Sequence, residues 1–201
     1  MKAYDKLWGV AEDNYGIITS ARAAELGVSR QNMVAMERRG DLTRLSQGVY
    51  QVKHHVPGGN DVYAVGVAMA GDTAYLRGAS VIAMLGLAPT NPGLLYVGAE
   101  KRIRRQLPRG FRLKDRTPCE TTEYEGCEGI RCQRLVDALK TARDEGAIEA
   151  DRIADAAEKA REKGLLTDEE CAEFTRYLDK AILFQHPLVF STKKVYNTLR
   201  G

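Results

Sequence analysis

Between residues 3 and 56 the apolar positions follow helical spacing three times and then alternate. Leu7, Trp8, Val10 and Ala11 recur at the intervals of a helix over 3–15, which Gly16 breaks. Ile17-Ile18-Thr19-Ser20 comes next, and Thr19 or Ser20 can cap a short helix, 21–26, terminated by Gly27. Val28-Ser29 lead into a third helix over 30–39, with Ser29 as its N-cap and Gly40 at its end. Residues 41–45 and 49–52 alternate polar and apolar about Ser46-Gln47-Gly48, which is the pattern of a β-hairpin. Residues 54–59, rich in turn formers, read as a linker.

Further on, Asn60 is placed to cap a helix running to Ala70, and 78–87 reads as another. Leu94-Leu95-Tyr96-Val97 predicts a buried strand. Residues 111–113 and 121–124 read as strands, with 130–132 as their partner across the turn 125–129. Helices over 134–145, 150–163 and 168–183 follow, and Thr167 with Glu170 forms a capping box for the last. The fold class expected is α+β. An N-terminal winged helix-turn-helix, residues 1–56, precedes a mixed α/β domain, 57–201, that ends in helices.

The first module carries the candidate chemistry. Gly27 permits the left-handed backbone of a sharp turn, Val28 can plug the core between helices, and Ser29 caps the next helix. Met33 and Met36 pack inward with Val28 and Leu26, so the opposite face carries Arg30, Gln31, Val34, Ala35 and Arg38. With Ser29 these residues form a candidate major-groove face. Arginine reads guanine, glutamine reads adenine, and small apolar side chains approach thymine methyls. The hairpin offers Arg44, Gln47 and Lys53 to flanking phosphates. Plainer roles exist for the same residues: Arg38 and Arg39 favour any helix C-terminus, and a winged helix can dock a protein instead of DNA. Two functions of different class stand: a regulator that binds double-stranded DNA, and an interaction adaptor whose winged helix docks a partner protein.

Net charge, only +3, is unevenly spread. Residues 77–116 hold nine Lys/Arg against two Asp/Glu, whereas 117–180 hold ten against seventeen, and the last 21 residues add three positives. A basic first half before an acidic helical block suggests a polyanion partner. Lys101, Arg102, Arg104 and Arg105 open the densest positive stretch, which continues through Arg109, Arg112, Lys114 and Arg116. They are candidate phosphate contacts outside the winged helix, or else solvated charges that offset the acidic helices. No run approaches the roughly 18 apolar residues of a membrane span. The first six residues lack a signal-peptide layout, so a cytoplasmic protein without a membrane partner is expected.

The gaps between Cys119, Cys127, Cys132 and Cys171 hold seven, four and 38 residues, so at most one close pair of the kind structural zinc sites use is present, and no histidine lies nearby. Reduced thiols, no metal and no cofactor are expected. Neither G-x-x-x-x-G-K-[ST] nor G-x-S-x-G occurs. His54, His55 and His186 have no evident acid or nucleophile beside them in the sequence. Glu158-Lys159 and Glu162-Lys163, the nearest approach to a nuclease E-x-K pattern, read as i,i+4 salt-bridge partners on a surface helix. The sequence therefore predicts a protein that is not an enzyme.

The runs over 16–30 (GIITSARAAELGVSR) and 38–50 (RRGDLTRLSQGVY) resemble the N-terminal domain of AbiEi-family antitoxins of bacterial type IV toxin–antitoxin systems. The likeness continues more loosely through Arg77-Gly78-Ala79-Ser80, Met84-Leu85-Gly86-Leu87, the basic run 101–105 and residues 131–137. Met84 and Arg77 stand where the family usually has histidines. The resemblance implies a DNA-binding N-terminal domain that represses its own operon and a C-terminal domain that relieves toxicity. It also implies a nucleotidyltransferase-like toxin as functional partner, countered without a stable complex.

Overall fold

The computed structural model describes residues 3–185, so His186 and the basic tail with Lys193, Lys194 and Arg200 lie outside the described residues. The chain divides into two compact units, one comprising residues up to 76 with 97–132, the other 77–96 with 133 onward. It passes between them after residues 76, 96 and 132. The boundary expected at 56/57 thus falls inside the first unit.

The first unit begins with α1 (Ala3–Glu12), β1 (Ile17–Thr19), α2 (Ser20–Glu25), α3 (Arg30–Arg39), β2 (Leu42–Ser46) and β3 (Val49–Val52). Both expected N-caps are made: Thr19 accepts from the Arg22 amide and Ser29 from the Asn32 amide, each at 3.2 Å. Gly27 takes φ +75° in the turn between α2 and α3, a conformation that costs an L side chain about 1–2 kcal/mol. Leu7, Ala11, Val28, Met33, Met36, Leu42 and Val52 share one buried cluster, and Leu26 packs against it. Strand β1 adds to the sequence reading. Ile17 and Ile18 are both buried, so no alternation marks them as a strand, yet they pair antiparallel with β3. The sheet order is β1-β3-β2.

Residues 54–59 are tied down more firmly than a linker would be. His55 Nε2 lies 2.6 Å from Asp61 Oδ2, and Asp61 Oδ1 accepts from the Gly58 amide at 3.1 Å. The His55 ring also sits where a Cβ on Gly16 would be, so only glycine permits this approach. Helix α4 (Asp61–Ala70) follows, but Asn60 does not cap it. Its side-chain amide instead donates to Gly126 O at 3.1 Å and Cys127 Sγ at 3.2 Å.

A second sheet contains β4 (Ala74–Leu76), β5 (Leu95–Ala99), β6 (Phe111–Lys114), β7 (Thr121–Thr122) and β8 (Cys132–Gln133), in the order β6-β5-β4-β8-β7. Strand β4, three buried residues without alternation, pairs antiparallel with β5 and parallel with β8. It corrects the expected pairing: β7 neighbours β8, whereas β6 bonds to β5 at the other edge. Cys127 and Cys132 are buried free thiols, and Cys119 and Cys171 half-buried ones. Burial, reinforced by the charges of Cys127 and Glu123, pushes the Cys132 thiol up to about 12.

The second unit holds α5 (Ala79–Met84), α6 (Leu135–Asp144), α7 (Ala150–Glu162) and α8 (Asp168–Gln185). Helix α6 buries Leu135, Val136, Ala138, Leu139 and Ala142, a stripe at helical spacing. Arg77, 6% exposed, donates both terminal nitrogens to Glu145, at 2.7 and 3.0 Å. Ser80 Oγ accepts from the Tyr96 amide at 2.8 Å. The expected i,i+4 pairs on α7 do not form, because four positions on from Glu158 stands Glu162 and from Lys159 stands Lys163, like charges in both cases. Glu158 instead takes Arg161, three residues on, at 2.6 Å, and Lys163 donates to Leu85 O at 3.2 Å. The capping box is present. Thr167 Oγ1 accepts from the Glu170 amide at 3.2 Å, and the Glu170 carboxylate accepts from the Thr167 amide at 3.0 Å. Thr167→Ala should therefore lower stability by about 1 kcal/mol in denaturant melts; an unchanged midpoint would show that the box contributes nothing.

Candidate nucleic-acid interface

Helix α3 has two unlike faces because two methionines, three positions apart, are driven into the core. Met33 and Met36 are 1% and 3% exposed. Arg30, Gln31 and Arg38 on the other side are exposed, with Val34 and Ala35 half-buried between them. Arg30, Gln31, Val34, Ala35, Arg38 and Arg39 line one shallow surface depression. The five face residues expected from the sequence are thus brought together, and Ser29 stands at the head of the helix with its hydroxyl already engaged in the cap.

Partners separate the arginines. Arg39 Nε donates to Asp41 Oδ2 at 3.0 Å, so its charge is locally met. The side chains of Arg30, Gln31 and Arg38 make no hydrogen bond or ion pair among the described residues. The Arg39–Asp41 pair is one feature that sequence reasoning missed. Its only signal was a carboxylate two positions after the arginine, a spacing compatible with many other arrangements.

The hairpin does not gather its three candidates. Gln47 is exposed in the two-residue turn between β2 and β3. Arg44 is exposed on β2, where the register slips between Arg44 and Ser46, and its Nε donates to Ser46 O at 3.3 Å. Lys53 lies at the other end. Leu42 pairs with Val52, and the Lys53 amide donates to Asp41 O at 3.1 Å, beside the C-terminus of α3. A five-residue strand, about 16 Å long, separates this lysine from the turn. Arg44 and Gln47 thus belong to the wing tip, whereas Lys53 belongs with the end of α3.

The second basic stretch is in the same unit as α3. Lys101, Arg102 and Arg104 are exposed, and their side chains bond to no described residue. Arg105 is also exposed, but Nη1 donates to Met69 O at 3.1 Å in the last turn of α4. Among the described residues no three His, Cys, Asp or Glu side chains gather as a cation site, and no helix is long and apolar enough to cross a membrane.

Three helices, a tight glycine turn and a β-hairpin against a third strand define a winged helix-turn-helix, with a polar, basic outer face on its third helix. Residues 10–53 match the family model described as "Transcriptional regulator, AbiEi antitoxin", so this part of the chain is similar to the N-terminal domain of such regulators. No curated protein matches the chain.

Proposed function

We propose that the chain is a DNA-binding regulator that represses its own operon, with α3 in the major groove of the operator and the hairpin on flanking phosphates. What carries the reading is the partner-free exposed set Arg30, Gln31 and Arg38 flanking Val34 and Ala35 on one helix face. From Gln31 to Arg38 the helix advances about 10 Å, or about three base-pair rises of 3.4 Å, so one helix face can address a short half-site. Arg44 and Gln47 at the wing tip then meet one phosphate strand, and Lys53 another position nearer the groove. The rest of the chain is the antitoxin part of a type IV system, acting against a nucleotidyltransferase-like toxin without requiring a stable complex.

Gel shifts with the DNA upstream of the gene, at two salt concentrations, test the reading. A complex with upstream DNA should persist at the higher salt where a random duplex of equal length is released. Equal loss of both complexes would remove sequence-specific recognition and with it the operator assignment.

A further inference from the structure

We propose that the segment joining β5 to β6, together with β6 itself, is a second DNA surface that holds phosphates without reading bases. Two bonds fix this segment. The Ile103 amide donates to Asp115 Oδ2 at 3.0 Å, and Arg105 reaches Met69 O in the last turn of α4, where helix carbonyls lack partners from their own helix. Lys101, Arg102 and Arg104 project around those ties, exposed and unpaired among the described residues. Arg112 and Lys114 are two positions apart on β6, hence on one face of that strand, and β6 is an edge of its sheet.

The two carboxylates of the stretch are already occupied. Glu100 accepts from Arg131 at 2.8 Å, and Asp115 accepts the Ile103 amide. Glu100 is neutralised by Arg131, whereas Asp115 keeps its charge, so five exposed cations on a fixed scaffold outnumber the one carboxylate left among them, and a freely solvated loop would carry no such ties. Arg105 plays a different part from its neighbours: it is a positioning residue that anchors the segment to α4. Duplex DNA as the partner rests on the function proposed above, since the segment belongs to the same compact unit as α3.

Binding of the full chain to a random-sequence duplex, followed by fluorescence anisotropy across a salt series, tests this without an operator. Each phosphate contact contributes about 0.9 to the slope of log affinity against log salt. Lys101→Gln, Arg102→Gln and Arg104→Gln together should flatten the slope by about two to three units. Between about 50 and 200 mM salt the wild type should then lose about 40-fold more affinity than the triple variant. Arg112→Gln with Lys114→Gln should flatten the slope by about two units, whereas Arg105→Gln should leave it within about half a unit of wild type. Thermal melts confirm that each variant is folded. Unchanged slopes in both multiple variants overturn the surface, and a full-contact change in Arg105→Gln overturns its role as an anchor. A wild type that binds operator and random DNA alike would instead count against the regulator reading, leaving the slope result to judge this one.

Discussion

Replacing Gln31 and Arg38 together with alanine should strip the chain of operator preference while leaving it folded and still able to bind DNA weakly. Both side chains are exposed and bond to nothing among the described residues, so truncation removes no intramolecular contact. Each well-formed bidentate contact to a base is worth about 1–3 kcal/mol of discrimination, and tenfold follows for every 1.4 kcal/mol. Operator affinity should therefore fall by between about 30-fold and about 20,000-fold, no lower than the random-DNA value, which the substitution lowers far less. Arg39→Ala is the internal control. That arginine is held by Asp41, and its loss should alter the operator-to-random ratio little. If the double variant keeps the wild-type ratio, base reading is done elsewhere and α3 is not the recognition helix.

A comparably large effect is expected in the second unit, on stability. Arg77 is almost wholly buried and its guanidinium is met by both carboxylate oxygens of Glu145, whose side chain is 30% exposed. Removing one partner of a buried pair leaves a charge without compensation, at a cost of about 3–5 kcal/mol. Because water reaches Glu145, the lower end applies, and Glu145→Gln should destabilise by about 3 kcal/mol. Arg77→Met combined with Glu145→Gln should restore part of that loss, since the stranded charge is then gone. Urea melts of both singles and the double give the coupling. Strictly additive losses would mean that the pair is no more than a surface contact.

Helix α3 and both N-caps could be read from the sequence because everything they need lies within a few positions: a ten-residue stretch at helical spacing, Ser29 before it and Gly40 after it. The same holds for the Thr167–Glu170 box. Strands β1 and β4 could not be read. Each is three residues long and largely buried, so its backbone pairs through a neighbour's geometry and leaves no alternation to detect. Long-range polar partners were equally hidden. Asn60 faces a helix start in the sequence, yet its partners are Gly126 and Cys127, far along the chain. Arg105 looked like its basic neighbours until the carbonyl of Met69 set it apart. The outward face of α3 was therefore legible, whereas which of its charges are available was not.

The repeated passage of the chain between its two units bears on how the gene can be cut. The winged helix is one uninterrupted stretch, its buried cluster running from Leu7 to Val52 with Ala3 packed against it. Such a stretch can be exchanged with a single junction at each end. The remainder cannot: a stop codon anywhere between 77 and 96 strips β4 of both neighbouring strands and uncovers Tyr75 and Leu76. Nonsense alleles in that interval should therefore lose the second sheet, and a swap of the second unit must carry residues 77–96 along with everything after 132.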